Sequence, residues 1–479
     1  MTNEALAPRD ARASVAVDLG AESCRVSLLR WHGGEPSITL VHRFANAPRT
    51  KDGALRWDLA AIEAGLDEGL HLCAEIAAEG IRSIAVDGWA VDYVRLDAEG
   101  RPLGDPFCYR DERTLEAERM LHRSIGPARL RELTDVQLLR INTLYQLYAD
   151  ALQGAPKGSR WLNLPEYILF RWGGAPVAEY TNATHTGMAA LETGQWCGEI
   201  FAAAGLDIRR APKIVPPGAI VGRLRGPLAK LPALCDAALI APACHDTASA
   251  IAGIPAEGDD WVYLSSGTWS LVGTLLERPC TTNAAATENF TNLGAVGGKV
   301  CFHKNVNGMW LIRQCMEQWA TEGGAWSVPE LVAAAEKAAR PDGALDVDDP
   351  ELMLAGRMPQ RINAQRIRKG LAPLDESPIG APAFASLIFH SLAERYAEVL
   401  GRVAAHSGKR LKRLFVVGGG SRNEFLNRLT GEATGLDVLR GPAESSTIGN
   451  FAVQMAALEG AGDDAVAVAR WAERLQPAR

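Results

Sequence analysis

Two stretches of this chain, one near its start and one just past its middle, follow the same pattern. Ser14-Val-Ala-Val-Asp18-Leu-Gly20 leads through Ala21-Glu-Ser-Cys-Arg25 into Val26-Ser-Leu-Leu29. Trp261-Val-Tyr-Leu-Ser265-Ser-Gly267 leads through Thr268-Trp-Ser270 into Leu271-Val-Gly-Thr-Leu275. Each is an apolar run, a small polar turn bearing glycine and a second apolar run, which predicts strand, turn, strand. A chain that opens each half with the same hairpin is constrained towards two related domains. The Gly253-Ile-Pro-Ala-Glu-Gly-Asp-Asp260 stretch, rich in glycine, proline and acid, is the candidate boundary. The expected organisation is therefore a domain over 1–253 and a second over 254–479.

The segments around the hairpins complete the pattern. A third strand is expected over Ile38 to Phe44, an amphipathic helix over Leu59 to Glu79 and a buried strand over Ile81 to Val86. Leu239 to Ala243 reads as a short strand leading into His245-Asp246-Thr247. The second half continues with helices over Gly308 to Thr321 and Pro382 to His406, and a strand over Leu411 to Val417 broken by Gly418-Gly-Gly-Ser421. A helix over Asn423 to Thr434, a strand over Asp437 to Leu439 and a small-residue helix over Ser446 to Leu458 follow. Strands alternating with helices define an α/β protein.

Composition narrows the function classes. The 479 residues carry 47% hydrophobic and 22% charged residues, as a globular chain does. The net charge of -7 and the lack of a dense Lys/Arg run argue against nucleic acid as a partner. The polar stretch Met1 to Arg12 lacks the apolar core of a signal peptide, and no apolar run is long enough to span a bilayer. A cytoplasmic protein with no membrane partner is expected. The nine cysteines are widely spaced with no C-x-x-C pair, which suits buried reduced thiols better than disulfides or a metal site.

Three glycine-bearing turns follow apolar strands: Gly20 to Arg25, Ser265 to Thr268 and Gly418 to Ser421. Such turns can aim backbone N–H groups at an anion, and a helix N-terminus behind the last adds to the attraction. One such turn is ordinary punctuation, whereas three in this arrangement point to a nucleotide site. No G-x-x-x-x-G-K-[ST] occurs, so the site is not a P-loop. Asp18, at the end of the first strand, either helps hold Mg²⁺ beside the phosphates or caps the turn. Asp246 either accepts a proton from a substrate hydroxyl or N-caps the alanine-rich helix that follows. Asp87-Gly-Trp89-Ala90-Val-Asp92-Tyr93 joins flat aromatics to acids, a lining that suits the apolar faces and hydroxyl edges of a sugar. Tyr109-Arg110-Asp111, Asn182 and Asn305 are candidate polar contacts, and each also reads as an ordinary loop or core residue.

At these residues the chain resembles the FGGY carbohydrate kinases, and among them most the rhamnulokinases. The resemblance runs from about Val15 to Ala457. It rests on Val17-Asp-Leu-Gly-Ala21, Asp87 to Tyr93 with Tyr109-Arg-Asp111, Asn142 to Leu147, Glu179 to Thr184, His245 to Ala250, Tyr263 to Leu271, Lys304-Asn305 with Gly308 and Trp310-Leu311, and Val417 to Gly420. The similarity implies two ribonuclease-H/actin-like domains with the active site in the cleft between them, ATP and Mg²⁺ as cofactors, and phosphorylation of a ketose at its terminal, 1-hydroxyl group. It makes Asp246 the base and assigns Ala21, Glu22, Ser23, Cys24 and Arg25 to the first phosphate loop. Gly267 and Thr268 fall in the second. Gly419, Gly420 and Asn423 fall on the adenosine loop and Arg313 on a further ATP contact. Trp89, Ala90, Asp92, Arg110, His245, Asp246, Thr247 and Asn305 fall at the sugar, and Asp18 at the metal. The expected partners are a small ketose, first L-rhamnulose, and ATP, with the protein a monomer or homodimer.

The chain departs from the rhamnulokinase pattern in three places. Cys24 stands where glycine is usual, so a Cβ and sulfur either crowd the phosphates or alter φ. Arg313 replaces a glutamine. Asp87-Gly-Trp-Ala90 replaces Asp-Thr-Trp-Gly at the sugar, which keeps another ketose such as L-fuculose or L-xylulose open as substrate. The first two departures also leave room for a sugar-binding sensor on the same fold that transfers no phosphate.

Overall fold

A computed structural model describes residues 10–155 and 159–476 of the chain. The elements that position the site, in chain order, are β1 (Ala13–Leu19), β2 (Ser23–His32), β3 (Glu35–Ala45), α1 (Leu59–Ile76), β4 (Ile81–Gly88), β5 (Ala219–Arg223), β6 (Ala238–Ala241), α2 (Asp246–Ala252), β7 (Trp261–Ser266) and β8 (Trp269–Leu276). They continue with β9 (Val300–Asn307), α3 (Trp310–Thr321), α4 (Ala381–Ser407), β10 (Arg413–Val417), α5 (Glu424–Thr434), β11 (Asp437–Arg440), α6 (Ser445–Leu458) and α7 (Ala465–Arg474). Most of the expected elements lie within a few residues of these bounds. Helix α1 stops three residues before its expected end because the chain turns at Gly80, whose φ is 92°.

The chain forms two compact units. One comprises residues up to Glu257, Leu275–Cys301 and Ser445 onward; the other comprises Gly258–Thr274 and Phe302–Glu444. The first crossing falls inside the Gly253–Asp260 stretch.

In the first unit the sheet runs β5-β6-β4-β1-β2-β3. Strand β1 pairs antiparallel with β2 and parallel with β4, and β4 pairs parallel with β6. Alternation along β1 sends Val15, Val17 and Leu19 to a core shared with Leu59, Ile62, Leu66 and Leu70 of α1. Each such wholly buried leucine or isoleucine contributes about 1.5–3 kcal/mol. Ala16 faces the other way, into a core built from Phe451, Ala452 and Met455 of α6 and Trp471 of α7. The small residues Ala16 and Ala85 on this face let the helix approach, and α6 in turn fits against α2 only because Gly449 has no side chain. A Cβ there would lie 1.7 Å from the Ser249 carbonyl oxygen.

The second unit carries the strand sequence β9-β8-β7-β10-β11, with β7 antiparallel to β8 and parallel to β10, and β10 parallel to β11. The neighbours of β7 thus repeat those of β1, and the echo read from the sequence is an echo of sheet order. Helix α4 packs against α5, where Phe389 and Phe425 meet edge to face at 6.1 Å.

Candidate active site

Three acids stand at the carboxyl ends of adjacent parallel strands of the first unit. Asp18 on β1 and Asp87 on β4 are cross-strand partners. The Gly88 to His245 bridge brings the chain after β6 alongside, so that Asp246 follows at the first position of α2. His245, not Asp246, is the N-cap, and it makes no side-chain capping bond. The capping alternative for Asp246 therefore fails: its carboxylate is bonded by the adjacent Thr247, whose hydroxyl reaches Oδ1 at 3.1 Å, with His245 Nε2 at 3.4 Å. Asp246 keeps 39% of its side-chain surface open, whereas Asp87 is wholly enclosed. Loss of surrounding water pushes Asp246 up to about 6, with Thr247 drawing it back.

Asp18 does not cap its turn either. Its Oδ2 accepts from Arg25 Nη1 at 2.8 Å and from the Ser446 hydroxyl at 2.9 Å. Burial raises the Asp18 carboxyl, Arg25 opposes the rise and the charge of Asp246 adds to it. Asp87 is pushed well up by burial and then by Asp18, with the Asn450 amide opposing. Like charges this close favour either a retained proton or a cation among them.

The turn after β1 presents Ala21 and Glu22 at the surface. Ser23 Oγ accepts from Arg43 Nε at 3.2 Å. Cys24 resolves its alternatives: the side chain is fully buried in the core with Val26 and Leu66, its φ is not left-handed, and the thiol points to the Gly20 carbonyl at 3.9 Å. The sulfur therefore does not crowd an anion, and only the Cys24 backbone remains for one. Burial pushes its thiol up to about 12, so it is no nucleophile.

Trp89 and Ala90 are buried just beyond β4, with Trp89 packed 4.6 Å from Trp57. Val91 has φ of 73°, a conformation β-branched residues avoid, and it is held there. Its carbonyl accepts from Thr143 Oγ1 at 2.7 Å and Gln146 Nε2 at 3.3 Å. Asp92 corrects the expectation of a sugar contact. It is fully enclosed, and its carboxylate accepts from Trp57 Nε1 (2.6 Å), Trp89 Nε1 (3.0 Å), the Tyr109 amide (3.1 Å) and Gln146 Nε2 (3.0 Å). It holds the aromatic lining in place. Asn182 is also enclosed and donates to Glu166 at 2.9 Å. Arg110 is exposed, 5.1 Å from the Tyr109 ring. His245 is buried against His185 with ring centroids 4.1 Å apart, and Thr247 is partly exposed beside Asp246.

In the second unit the turn Gly267-Thr268 is tied to the start of α3: the Met309 amide donates to the Gly267 carbonyl at 3.0 Å and the Trp310 amide to the Thr268 carbonyl at 3.1 Å. Gly418 takes φ of 81°, and Gly420 lies so close to β7 that a Cβ would fall 2.0 Å from Ser266 Oγ. Around this turn Ser266 Oγ, Ser421 Oγ and Asn423 Nδ2 are buried without a hydrogen-bond partner, while Asn423 Oδ1 accepts from the Leu426 amide at 3.0 Å to cap α5. Gly419 is exposed and Gly420 buried. Beside Thr268 opens a mostly apolar recess of about 460 Å³ lined by Met309, Ile312, Met316 and Trp326 with Arg313 at its edge. Arg313 sits 5.3 Å from the Trp310 ring centroid and 3.8 Å from Glu317. Asn305 is exposed on β9.

These features suit a metal nucleotide. Unsatisfied buried donors on a glycine turn await acceptors such as those of a nucleotide. Asp87 Oδ1 is likewise buried with no partner, next to Asp18. Among the described residues no three His, Cys, Asp or Glu side chains converge closely enough to hold a metal alone. Mg²⁺ needs no such cluster, because it takes one or two carboxylates and otherwise water and phosphate. The sequence reading missed Ser446 and Asn450, which contact Asp18 and Asp87 from more than 360 residues away. It also missed Glu179 as a support of the segment that carries Asp246: its carboxylate accepts from the Cys244 amide at 2.8 Å, and the His245 amide donates to Thr181 Oγ1 at 3.2 Å. Only the segment Glu179 to Thr184, as part of the family resemblance, was visible beforehand. Among the described residues no helix is long and apolar enough to cross a membrane.

Comparison with known proteins adds independent findings. Sequence models of the FGGY family of carbohydrate kinases match residues 13–253 (N-terminal domain) and 262–458 (C-terminal domain). The rhamnulokinase of Enterococcus faecalis is 36% identical over 453 residues, 93% of this chain and 89% of that protein. That of Pectobacterium carotovorum is 37% identical over 459 residues, 94% and 89%. The crystal structure of xylulose kinase from Lactobacillus acidophilus superposes with a TM-score of 0.78 at 16% identity, covering 98% of this chain and 93% of that one. Plasmodium falciparum glycerol kinase with ADP gives 0.77 at 13% identity, covering 97% and 93%. At these identities the two structures speak for the fold alone.

Proposed function

The chain belongs to the FGGY family of carbohydrate kinases, and from that premise we propose that it transfers the γ-phosphoryl group of MgATP to the 1-hydroxyl of L-rhamnulose. The observation that carries the chemistry is Asp246. It is a half-open carboxylate following a strand's carboxyl end, seated on the first turn of a helix and hydrogen-bonded to its neighbour Thr247. The rhamnulokinase relatives carry the choice of sugar.

As the C1 oxygen bonds to the γ-phosphorus, the bond to the bridging oxygen breaks, ADP departs and the hydroxyl proton passes to Asp246. Residues 1–253 supply this base, the first phosphate turn and the sugar lining at Trp89, Ala90, His245 and Thr247. Residues 254–479 supply Asn305 and the turns at Thr268 and Gly419, with Asn423 and Arg313 on the nucleotide. Asp18 would hold Mg²⁺, which would supply the positive charge that offsets the phosphate oxygens. The recess beside Thr268 has the flat apolar walls a purine needs.

The test is ADP release from MgATP across L-rhamnulose, L-fuculose, L-xylulose, L-ribulose and D-xylulose. A dominant L-rhamnulose signal is expected. A dominant signal with another ketose keeps the mechanism and overturns the sugar, an outcome the Ala90 methyl beside the strained Val91 favours over silence. ATP binding without sugar-dependent ADP release overturns the kinase reading in favour of a sensor.

A further inference from the structure

Helix α6 is apolar over most of its buried surface, yet Ser446, Asn450 and Gln454 recur every fourth residue and so form one stripe. Each meets a polar group of the sheet. The Ser446 hydroxyl donates to Asp18. Asn450 Nδ2 donates to Asp87 Oδ2 at 2.6 Å. Gln454 Nε2 donates to the Val15 carbonyl at 3.1 Å and to Asn450 Oδ1 at 2.7 Å, and its Oε1 accepts from the Ser83 hydroxyl at 2.7 Å. Ser83 and Ser14 complete the row with a hydroxyl pair at 2.9 Å.

The row has a direction. The Val15 carbonyl can only accept, so Gln454 turns its NH₂ towards it and its oxygen towards the Ser83 hydroxyl. Asn450 must then present its oxygen to Gln454 and its NH₂ to Asp87. Asn450 and Gln454 are fully buried, as are Ser14 and Ser83, and a polar row through an apolar interface adds little net stability. What it does fix is the rotation of the Asp87 carboxyl. One oxygen is held by Asn450, and the other, Oδ1, is left enclosed with no donor. An enclosed carboxylate oxygen with no partner is costly, more so when charged, so it calls for a partner when the site is loaded.

We propose that Asp87 shares with Asp18 the holding of Mg²⁺, directly or through water, and that Asn450 is the positioning residue that aims Asp87 Oδ1 at it. This rests on the kinase reading above, which already places the ion at Asp18. Its consequence is that a helix from the end of the chain sets the metal affinity of a site built on the first strands.

The experiment measures Mn²⁺ binding to the full-length protein, from the electron paramagnetic resonance signal of unbound Mn²⁺, with a non-hydrolysable ATP analogue present. Asp87→Asn and Asn450→Ala are expected to weaken Mn²⁺ by roughly 10- to 100-fold, the usual effect of losing a group that supports a metal ligand. Binding of the ketose without metal should be unchanged. If Asn450→Ala fails to fold, Asp87→Asn, which keeps shape and can still accept from Asn450, decides alone. Unchanged Mn²⁺ affinity in a folded Asp87→Asn overturns the proposal, whatever the turnover. Weakened Mn²⁺ in a protein that phosphorylates none of the ketoses upholds it while the sugar assignment falls.

Discussion

The two units share one strand plan and differ in what they bury. In the first, Asp18, Asp87, Asp92, Asp150, Glu166 and Glu179 are all buried; among the described residues of the second, no aspartate or glutamate is. The contrast is sharpest at the matching hairpins. Strand β1 ends in Asp18, opposite Arg25 on one side and Asp87 on the other. Strand β7 ends in Ser265 and Ser266, with Ser270 opposite Ser266 on one side and Val417, just before Gly418, opposite Ser265 on the other. The same backbone thus carries charge in one unit and compact neutral donors in the other. Charged oxygens suit a cation and a proton, and glycine turns with buried hydroxyls suit phosphate, so one frame serves two halves of a phosphoryl transfer.

The largest test of this division removes the proposed base. Asp246→Ala is expected to lower turnover by about 10²- to 10⁴-fold, the usual span for general base catalysis, with ATP binding unchanged. Thr268→Ala in the second unit should instead act mainly on the KM for ATP. If Asp246→Ala leaves turnover near wild type, the charged unit does not supply the base. If it raises the ATP KM as much as Thr268→Ala does, the division of labour is lost.

Proton uptake sharpens the same point. Asp246 is pushed up to about 6, and it must be ionised to accept a proton. Turnover per KM for the ketose should therefore fall about tenfold for each pH unit below about 6 and level off above it. The arm should vanish in Asp246→Asn. A profile flat from pH 5 to 7 would assign the proton to another group.

A smaller effect is expected from Gly420→Ala. The new methyl meets Ser266 Oγ, the far end of a short side chain on a strand with nowhere to retreat. Overpacking of this kind costs about 1–3 kcal/mol. If it falls on the nucleotide turn, the ATP KM rises by about tenfold while the ketose KM holds. Equal shifts in both constants would show that the neutral turn is not dedicated to the nucleotide.

How much of this was legible beforehand follows sequence distance. Asp18, Asp246, Thr268 and the Gly418 turn stand beside apolar runs, where period and turn chemistry mark them. The repeat of the hairpin foretold the repeat of sheet order. The role of Asp92 was hidden, because an acid between aromatics looks the same whether it faces a sugar or ties two indoles together. Cys24 was equally opaque: alternation along β2 sends its side chain to the core, and only the register of the strand decides that. Ser446 and Asn450 carried no local signal at all. A polar residue every fourth position on a small-residue helix becomes meaningful only once the helix lies on β1 and β4.

The last prediction uses the buried acids that take no part in transfer. Burial pushes Glu166 up to about 7 and Glu179 up to about 8, and no buried carboxyl of the second unit does the same. In the unfolded chain both glutamates lose their protons near pH 4.3. Between that pH and about 7 to 8 the folded state holds more protons than the unfolded one, so stability falls as pH rises, by about 1.4 kcal/mol per unit for each proton retained. The stabilisation is complete below pH 4.3 and is lost as pH passes through the folded values. Hydrogen exchange followed peptide by peptide at pH 5.5 and 8, corrected for the intrinsic rate, should show β4, β6 and the 177–185 segment opening more readily at the higher pH, with β7 and β10 unmoved. In Glu179→Gln the slope should lessen, although the variant is weaker throughout because one amide hydrogen now faces an N–H donor. Equal change in both units, or firmer protection of β4 at pH 8, would mean that Glu166 and Glu179 are already ionised in the fold. The difference between the units would then lie in their catalytic acids and not in their cores.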